Sequence, residues 1–332
     1  MKTVYQVLTS AVLLACTQAA LAEPAIVYDA GGKNDKSFNQ AAATGAEQFK
    51  KAGGGNYTEI TLSGEAQREQ ALERLAQRKN NPVITIGFIG ESALKKVAPK
   101  FPNTQFVIVD SVVDQPNVKS IVFRDNEGSF LVGAVAALKS ATGKVGFIGG
   151  MDVPLIRRFA CGFAQGAKYA NPKAEVLQNM TGTTPSAWND PTKGGELAKS
   201  QMDRGVDVIF AAAGGTGVGV YQAAKDAKKF AIGVDSNQNY LFPGTMLTSM
   251  VKRVDVAVKN SFTNDGKGKP SGGTQDLGLK EGGVDWALDQ YNRSLITPAI
   301  EAKVKEIKAD IISGKIKVLD YYKDEDKAKC GA

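Results

Sequence analysis

The sequence predicts an α/β protein of two doubly wound lobes, each a parallel sheet covered by helices on both faces, joined by a hinge. Apolar, strand-like runs alternate with amphipathic, helix-like runs along almost the whole chain, a pattern typical of parallel sheets. The strand-like runs fall into two series, which indicates two sheets. Without a leader ending at residue 22, 310 of the 332 residues remain (332 − 22), more than one ordinary core accommodates.

Ten strand-like runs can be placed in chain order. The first series covers residues 25–29, 57–62, 83–88, 105–110 and 118–123, and the second covers 144–149, 174–180, 207–213, 230–235 and 246–250. Helix-like runs lie between them, among them 65–79, 92–101, 128–139, 154–170 and 194–204. Each series therefore supplies the strands and helices of one lobe.

The lobe boundaries follow from where the two series meet. The chain first crosses between lobes near residues 124–127, and a second crossing is expected near 248–252 because the second sheet already has its complement of strands. We expect lobe 1 to hold residues 23–125 plus about 250–270, and lobe 2 to hold residues 126–249 plus about 271–332. Multiple crossings make a hinge, and ligands bind in the cleft between such lobes.

The amino-terminal residues have the features of a cleavable signal peptide. A positive charge, a short apolar run and an A-x-A cleavage signal lie at Lys2, residues 12–15 and residues 20–22, respectively. Cleavage after Ala22 predicts an exported, periplasmic protein. The alternative is a lipobox at residues 13–16, which would leave the protein anchored by a lipid on Cys16. No other stretch approaches the ~20 apolar residues of a transmembrane helix.

The composition excludes several functional classes. The chain has no histidine, which excludes Ser-His-Asp and Cys-His catalysis and any histidine-ligated metal site. The net charge of +7 comes from 41 Lys and Arg against 34 Asp and Glu, and the two signs are interspersed, without the basic stripe and interleaved aromatics typical of nucleic-acid binding. We expect no nucleic-acid partner, no metal, no cofactor and no enzymatic activity.

Two cysteines follow the leader, Cys161 and Cys330. In an oxidising compartment an even pair favours one disulfide, which would tie the carboxyl terminus to the helix that holds Cys161. The alternative is a pair of free thiols. A catalytic thiol is not expected, because no base is available beside it.

Residues 25–39 are the most informative stretch of the chain. An apolar strand runs into a polar, glycine-containing loop and then a helix beginning near Ser37. This pattern places four side chains at the carboxyl end of the first strand: Asp29, Asp35, Phe38 and Asn39. Open α/β sheets bind ligands at such ends, and an aromatic face with carboxylate acceptors suits a small molecule. The alternative is an ordinary turn capped by Asp35 and Ser37, with Phe38 in the core.

Trp188 is the matching aromatic residue of the second lobe. It lies in residues 185–194, between a strand and a helix, and would project at the carboxyl end of its strand as Phe38 does in the first lobe. Two aromatic faces from opposing lobes can clamp a planar ring, since stacking of a base on an aromatic side chain is worth ~1–3 kcal/mol by alanine substitution. The alternative is that Trp188 is a packing residue.

Two further runs supply backbone and charged groups near the same cleft. Residues 210–219 form a strand, a glycine turn and a helix, with close backbone approach at Gly214 and Gly215. Asp235 ends the next strand, where a carboxylate can accept hydrogen bonds from sugar hydroxyls, although the G-x-G-x-x-G spacing of a dinucleotide site is missing. Lys252 follows the strand at 246–250. The alternatives are a tight turn that needs glycine and a surface lysine.

Six motifs spread over the chain carry a resemblance to a known family. They are residues 29–39 (DAGGKNDKSFN), 123–131 (FRDNEGSFL), 146–152 (GFIGGMD), 189–194 (NDPTKG), 213–217 (AGGTG) and 233–238 (GVDSNQ). As a set, in this order, they resemble the basic membrane protein family, the purine-nucleoside-receptor type of ABC-transporter substrate-binding protein.

The resemblance implies a role for individual residues. Phe38 and Trp188 would be the two walls of an aromatic clamp. The residues implied around the base or ribose are Asp29, Asn39 and Asp110 on the first lobe, and Gly215, Asp235 and Lys252 on the second. Two positions depart from the family pattern: Trp188 stands where Phe is usual, and Asn237 stands where Asp is common, which removes a charge near the ribose end. Both bear on which nucleoside or free base is preferred.

The resemblance also implies a function. It implies the periplasmic receptor of an ABC importer, a monomer that captures a purine nucleoside between its lobes and delivers it to a membrane permease. A receptor for a free purine base, a sugar or an autoinducer on the same fold stays open. So do an exported nucleoside hydrolase and, if Cys16 is lipidated, a surface-anchored adhesion protein.

Overall fold

The computed structural model of the protein describes residues 22–330, which form twelve strands and ten α-helices besides short 3-10 segments and one π-helical segment. The strands are β1 Ala25–Val27, β2 Thr58–Ile60, β3 Val83–Ile86, β4 Phe106–Val109, β5 Val118–Phe123, β6 Lys144–Met151, β7 Glu175–Gly182, β8 Val208–Ala212, β9 Phe230–Asp235, β10 Met246–Lys252, β11 Gly273–Leu277 and β12 Val284–Trp286. The helices are α1 Phe38–Phe49, α2 Arg68–Gln77, α3 Glu91–Val97, α4 Asp125–Lys139, α5 Pro154–Ala170, α6 Pro191–Asp203, α7 Gly217–Asp226, α8 Val254–Asn264, α9 Pro298–Ile312 and α10 Asp324–Lys327.

The strands form two six-stranded sheets, which confirms the predicted fold class. The first sheet has the order β11-β5-β4-β3-β1-β2 and is parallel throughout. The second has the order β12-β10-β9-β8-β6-β7 and is parallel except for β12, which runs antiparallel to β10. The order β5-β4-β3-β1-β2 therefore recurs as β10-β9-β8-β6-β7, so that each of these five strands of the first lobe has an equivalent in the second.

The central strands are apolar along their whole length. Every residue of β1, β4 and β8 is buried, because helices cover both faces of each sheet and leave no face for water. This continuous apolar character, rather than alternation, is what made the central strands recognisable in the sequence.

The chain crosses between the lobes three times: between β5 and α4, between β10 and α8, and between β11 and β12. The last crossing comes later than expected. The sequence assigned residues from about 271 onward to the second lobe, but β11 pairs with β5 in the first sheet. This edge strand is largely exposed and polar, so it has no apolar pattern by which the sequence could reveal it.

The carboxyl ends of the strands in the two sheets face each other across the hinge region. The expected leader, residues 1–22, and the alternative lipid site at Cys16 lie outside the described residues, except for Ala22. Within residues 22–330, none of the helices combines the length and the apolar character that a membrane span requires.

Candidate functional site

A cavity of about 60 Å³ lies between the lobes and opens to solvent. Its lining includes seven of the residues that the sequence predicted: Asp29, Phe38, Asn39, Asp110, Trp188, Asp235 and Lys252. The lining also includes Asp35, which the sequence placed at the same strand end as Phe38, and apolar residues. Among the apolar ones are Phe88 from the first lobe and Leu155, Ile156 and Phe159 from α5 in the second. The eighth predicted residue, Gly215, is not part of the lining, whereas its neighbour Gly214 is.

The loop before α1 presents Phe38 to this cavity. Asp35 accepts hydrogen bonds from the backbone N–H groups of Ser37, Asn39 and Gln40 at 2.8–3.0 Å, and so satisfies donors at the start of the helix that have no partner within it. Phe38 is the first residue of α1. The capping interaction and the cavity wall are therefore parts of one local structure, rather than alternatives.

Asn39 organises this loop from within. Its Oδ1 accepts a hydrogen bond from the Asp29 backbone N–H at 2.8 Å, and its Nδ2 donates to the carbonyl oxygens of Asp29 and Ala30. The side chain is buried. Asn39 thus lines the cavity mainly as the residue that fixes the turn carrying Asp29.

Asp29 is a buried carboxylate at the cavity wall. Its Oδ1 lies 3.4 Å from Nη2 of the buried Arg68, yet burial outweighs this cation and raises the pKa of Asp29 to about 7. Gly87, which follows β3 with a φ of 90°, lies against the carboxylate, and a Cβ there would collide with it. The close approach therefore requires glycine at this position.

The second lobe contributes Trp188 at the end of the 3-10 helix Pro185–Trp188. The six-membered part of its indole packs on the backbone of Gly150 in β6, where a Cβ would collide with the ring. The indole N–H, although buried, has no hydrogen-bond acceptor among the described residues. Phe38 and Trp188 thus line the cavity from opposite lobes.

Asp110 and Asp235 occupy equivalent positions in the two lobes. Asp110 follows β4 and Asp235 ends β9, and both have a left-handed backbone, with φ of 69° and 63°. Such a conformation is uncommon for residues other than glycine, although aspartate tolerates it better than most. Burial raises the pKa of Asp235 to about 7, against the opposing effects of Lys252 and of a hydrogen bond from Ser37.

Lys252 is at the centre of the site rather than on the surface. Its side chain is 1% exposed, and its Nζ lies 2.6 Å from Asp110 and 3.2 Å from Asp125. Three aromatic rings surround the ammonium group, those of Phe38, Phe123 and Phe159, at 5.1–5.4 Å from their centroids. Burial lowers the pKa of Lys252, but the neighbouring carboxylates outweigh it and raise that pKa above its ordinary value.

Two residues of the site, Asp125 and Phe159, were not predicted from the sequence. Asp125, fully buried at the start of α4, pairs with Lys252, and burial raises its pKa to about 6. Phe159 faces both the cavity and the lysine. Asp125 lies in the motif at residues 123–131, so its signal was present in the sequence. Asn237, in contrast, is exposed and donates to Asp289 at 2.7 Å, outside the cavity lining.

The lobes also touch directly beside the cavity. The Ser37 hydroxyl donates to Asp235 at 2.5 Å, and the Ser236 hydroxyl donates to the Ser37 carbonyl at 2.8 Å. The buried Gln238 donates from Nε2 to the Lys36 carbonyl at 2.8 Å. These hydrogen bonds join the loop before α1 to the end of β9.

Comparison with known proteins gives matches over most of the chain. A protein-family model described as ABC transporter substrate-binding protein PnrA-like matches residues 22–319. The CD4+ T-cell-stimulating antigen of Listeria monocytogenes is 38% identical and covers 89% of this chain and 87% of the relative. The ABC transporter nucleoside-binding protein BmpA of Lactococcus lactis is 36% identical, with 89% and 88% covered. An uncharacterized lipoprotein of Pyrococcus abyssi is 33% identical, with 89% and 76% covered.

Among solved structures, an ABC transporter solute-binding protein from Aeropyrum pernix K1 superposes with a TM-score of 0.81 at 30% sequence identity. The alignment covers 89% of this chain and 92% of that chain. Both lobes of this chain therefore have counterparts in a solute-binding protein.

Proposed function

We propose a ligand for this chain, which belongs to the Bmp family of PnrA-like ABC transporter substrate-binding proteins. The proposed ligand of its interlobe cavity is a purine nucleoside. Proteins of this class deliver their ligand to a membrane permease. One observation carries the proposal: two aromatic side chains, Phe38 and Trp188, line the cavity from opposite lobes beside buried carboxylates.

The chemistry of the lining supports a base joined to a sugar. Aromatic faces on both sides suit a flat purine, since stacking is worth ~1–3 kcal/mol per base. Asp29 and Asp235 offer carboxylate oxygens, which accept hydrogen bonds from hydroxyl groups. A nucleoside satisfies both kinds of group, whereas a free base leaves buried acceptors without donors, and this costs about 1–3 kcal/mol for each group.

A relative supports the same ligand class. The protein named as the nucleoside-binding BmpA is 36% identical and aligns over 89% of this chain. We infer that the two proteins share a class of ligand, while the preferred purine depends on local differences such as Trp188.

We also propose that the protein works outside the cytoplasm, where a receptor must meet its ligand. Cleavage after Ala22 would release it into the periplasm, and modification of Cys16 would anchor it as a lipoprotein, as the name of the Pyrococcus relative states for that protein. The intact mass of the mature protein separates the two, because cleavage after Ala22 leaves Glu23 first, whereas a lipoprotein starts at an acylated Cys16.

Calorimetric titration of the unfolded, ligand-stripped and refolded mature protein tests the proposed ligand. The panel is adenosine, guanosine, inosine, uridine, adenine and ribose. We expect purine nucleosides to bind in the micromolar range or tighter and ribose to give no signal. Stronger binding of adenine would identify a base receptor, and binding of ribose alone would identify a sugar receptor. Release of hypoxanthine during long incubation with inosine would indicate a hydrolase.

A further inference from the structure

The carboxyl-terminal segment, residues 313–330, folds back onto the second lobe behind the cavity. The Leu319 backbone N–H donates to the Gln165 side chain at 3.0 Å, and the Leu319 carbonyl accepts from Asn126 Nδ2 at 2.9 Å. At its end, Cys330 forms a disulfide with Cys161 of α5. The segment is therefore fixed in its middle and at its end.

This segment binds a buried arginine of the second lobe, Arg158 of α5. Nε and Nη2 of Arg158 donate to the two oxygens of Asp320 at 2.8 and 2.7 Å, a bidentate pair. The guanidinium also lies 4.9 Å from the centroid of the Tyr322 ring. Because Cys161 follows Arg158 by three residues, both lie on one face of the helix. The disulfide thus fixes the segment directly over Arg158.

The remaining nitrogen of this arginine reaches across to the first lobe. Nη1 of Arg158 donates to the carbonyl oxygen of Phe123 at 2.5 Å. Phe123 is the last residue of β5, at the first crossing between the lobes. Its ring lies 5.1 Å from Lys252 Nζ, and Asp125, two residues later, pairs with the same ammonium group. Arg158 therefore contacts the crossing that carries two neighbours of Lys252.

We propose that Arg158, clamped by Asp320 of the carboxyl-terminal segment, is a positioning residue that fixes the first crossing and thereby sets both the closure of the lobes and the placement of Lys252 beside Phe38. The effect on ligand affinity rests on the proposed function. The effect on lobe closure does not.

The charge of Arg158 also affects the pKa of Asp125, and a role in packing alone would leave that pKa unchanged. Asp125 is faced by Lys252 from β10, by Asp110 from the end of β4, by Arg158 from α5 and by Tyr322 from the carboxyl-terminal segment. Burial raises the pKa of Asp125 to about 6, and the two cations oppose that rise. Without Arg158 this pKa rises further, so Asp125 becomes neutral at a higher pH and stops pairing with Lys252 there.

The test compares Arg158→Met with Arg157→Met. Arg157 is the adjacent arginine of the same helix and forms its own pair with Asp152 at 2.6 Å, away from the crossing. For each ligand-stripped protein we would measure the radius of gyration by small-angle X-ray scattering and the affinity for the tightest nucleoside of the panel from pH 5 to pH 8. We expect Arg158→Met to enlarge the radius, to weaken binding at least tenfold at pH 7 and to shift the acid limb of binding upward by at least half a pH unit.

Arg157→Met should match the unmodified protein in all three measurements. A folded Arg158→Met protein with an unchanged radius and an unchanged acid limb would overturn the proposal. If Arg158→Met does not fold, Asp320→Asn decides in its place, since it keeps the arginine and weakens its clamp. A larger radius and weaker binding are then expected, both smaller in size than for Arg158→Met, and an unchanged radius would refute the role. If the unmodified protein binds no nucleoside, the proposed function fails, and the scattering comparison alone decides the present inference.

Discussion

The hydroxyl of Ser37 donates a hydrogen bond of 2.5 Å to the carboxylate of Asp235, and this contact joins the first lobe directly to the second. Ser37 precedes Phe38, and Asp235 ends β9. Lobe closure and the placement of the aromatic wall are therefore linked, because the loop that carries Phe38 is held by the opposite lobe. A ligand that uses Asp235 acts on the same carboxylate that keeps the lobes together.

Ser37→Ala should favour the open arrangement of the lobes. The change removes a donor to a buried carboxylate, and a hydrogen bond to a charged group contributes about 1.5–3 kcal/mol. We expect roughly tenfold weaker nucleoside binding and a larger radius of gyration of the ligand-stripped protein in solution scattering. Ser63→Ala is the control, since Ser63 is exposed. Equal radii and affinities for both variants would contradict a closing role for Ser37.

Trp188→Ala should weaken nucleoside binding at least tenfold, about 1.4 kcal/mol, because it removes the stacking surface of the second lobe. Calorimetric titration measures the loss, and a thermal melt checks that the protein stays folded. Tyr240→Ala is the matched control, since this tyrosine is 44% exposed on the same lobe and outside the cavity lining. Unchanged affinity in Trp188→Ala would remove this residue from the site.

Asp235→Asn should bind more weakly yet be more stable above neutral pH. The pKa of Asp235 is about 7 in the folded protein and near 3.9 in an unfolded chain. Between these values the folded state retains a proton that the unfolded state releases, so this group's contribution to stability is complete below about pH 4 and is lost as the pH rises through 7.

Asparagine does not titrate and keeps an oxygen for the Ser37 hydroxyl. The gain in unfolding free energy of Asp235→Asn should therefore be near zero at pH 4 and reach about 4 kcal/mol at pH 8, measured by urea unfolding of ligand-stripped protein. Asp114→Asn is the control, because Asp114 is exposed. A gain that does not depend on pH would show that the Asp235 carboxyl is not the cause.

The mature protein should contain no titratable thiol when it is denatured without a reductant. The structure joins Cys161 and Cys330, with their Cα atoms 4.8 Å apart, and no other cysteine follows the leader. A thiol reagent under denaturing conditions should report zero, and two after reduction, which serves as the control. Two thiols before reduction would refute the disulfide.

The sequence predicted most of this architecture because buried parallel strands are apolar along their whole length. The central strands β1, β3, β4, β8 and β9 were found for that reason. The two edge strands that were missed are β11, which is polar and exposed, and β12, in which two of three residues are only half-buried. Such short edge strands form because a neighbouring strand is available, which is a property of the tertiary fold rather than of the segment.

Site residues could be predicted where a charged or aromatic side chain lies at the end of a predicted strand. Residues elsewhere were harder to predict. Asp29, Trp188 and Asp235 were identified by position. The contact between Arg158 and Asp320 spans 162 residues, and nothing local in either segment indicates it. Lys252 was placed near the cleft, but only the packed structure reveals that other protein groups enclose its charge.

Gly150→Ala should displace the indole of Trp188 without removing it. A Cβ at residue 150 would collide with the ring, and the strand around Gly150 gives the methyl group no other direction. The ring would then move toward the opposite wall and narrow the gap for a base, so we expect nucleoside affinity to fall at least fivefold. Gly64→Ala is the control, because a Cβ there meets no atom within 4 Å. Equal affinities for both variants would mean that the placement of the indole does not limit binding.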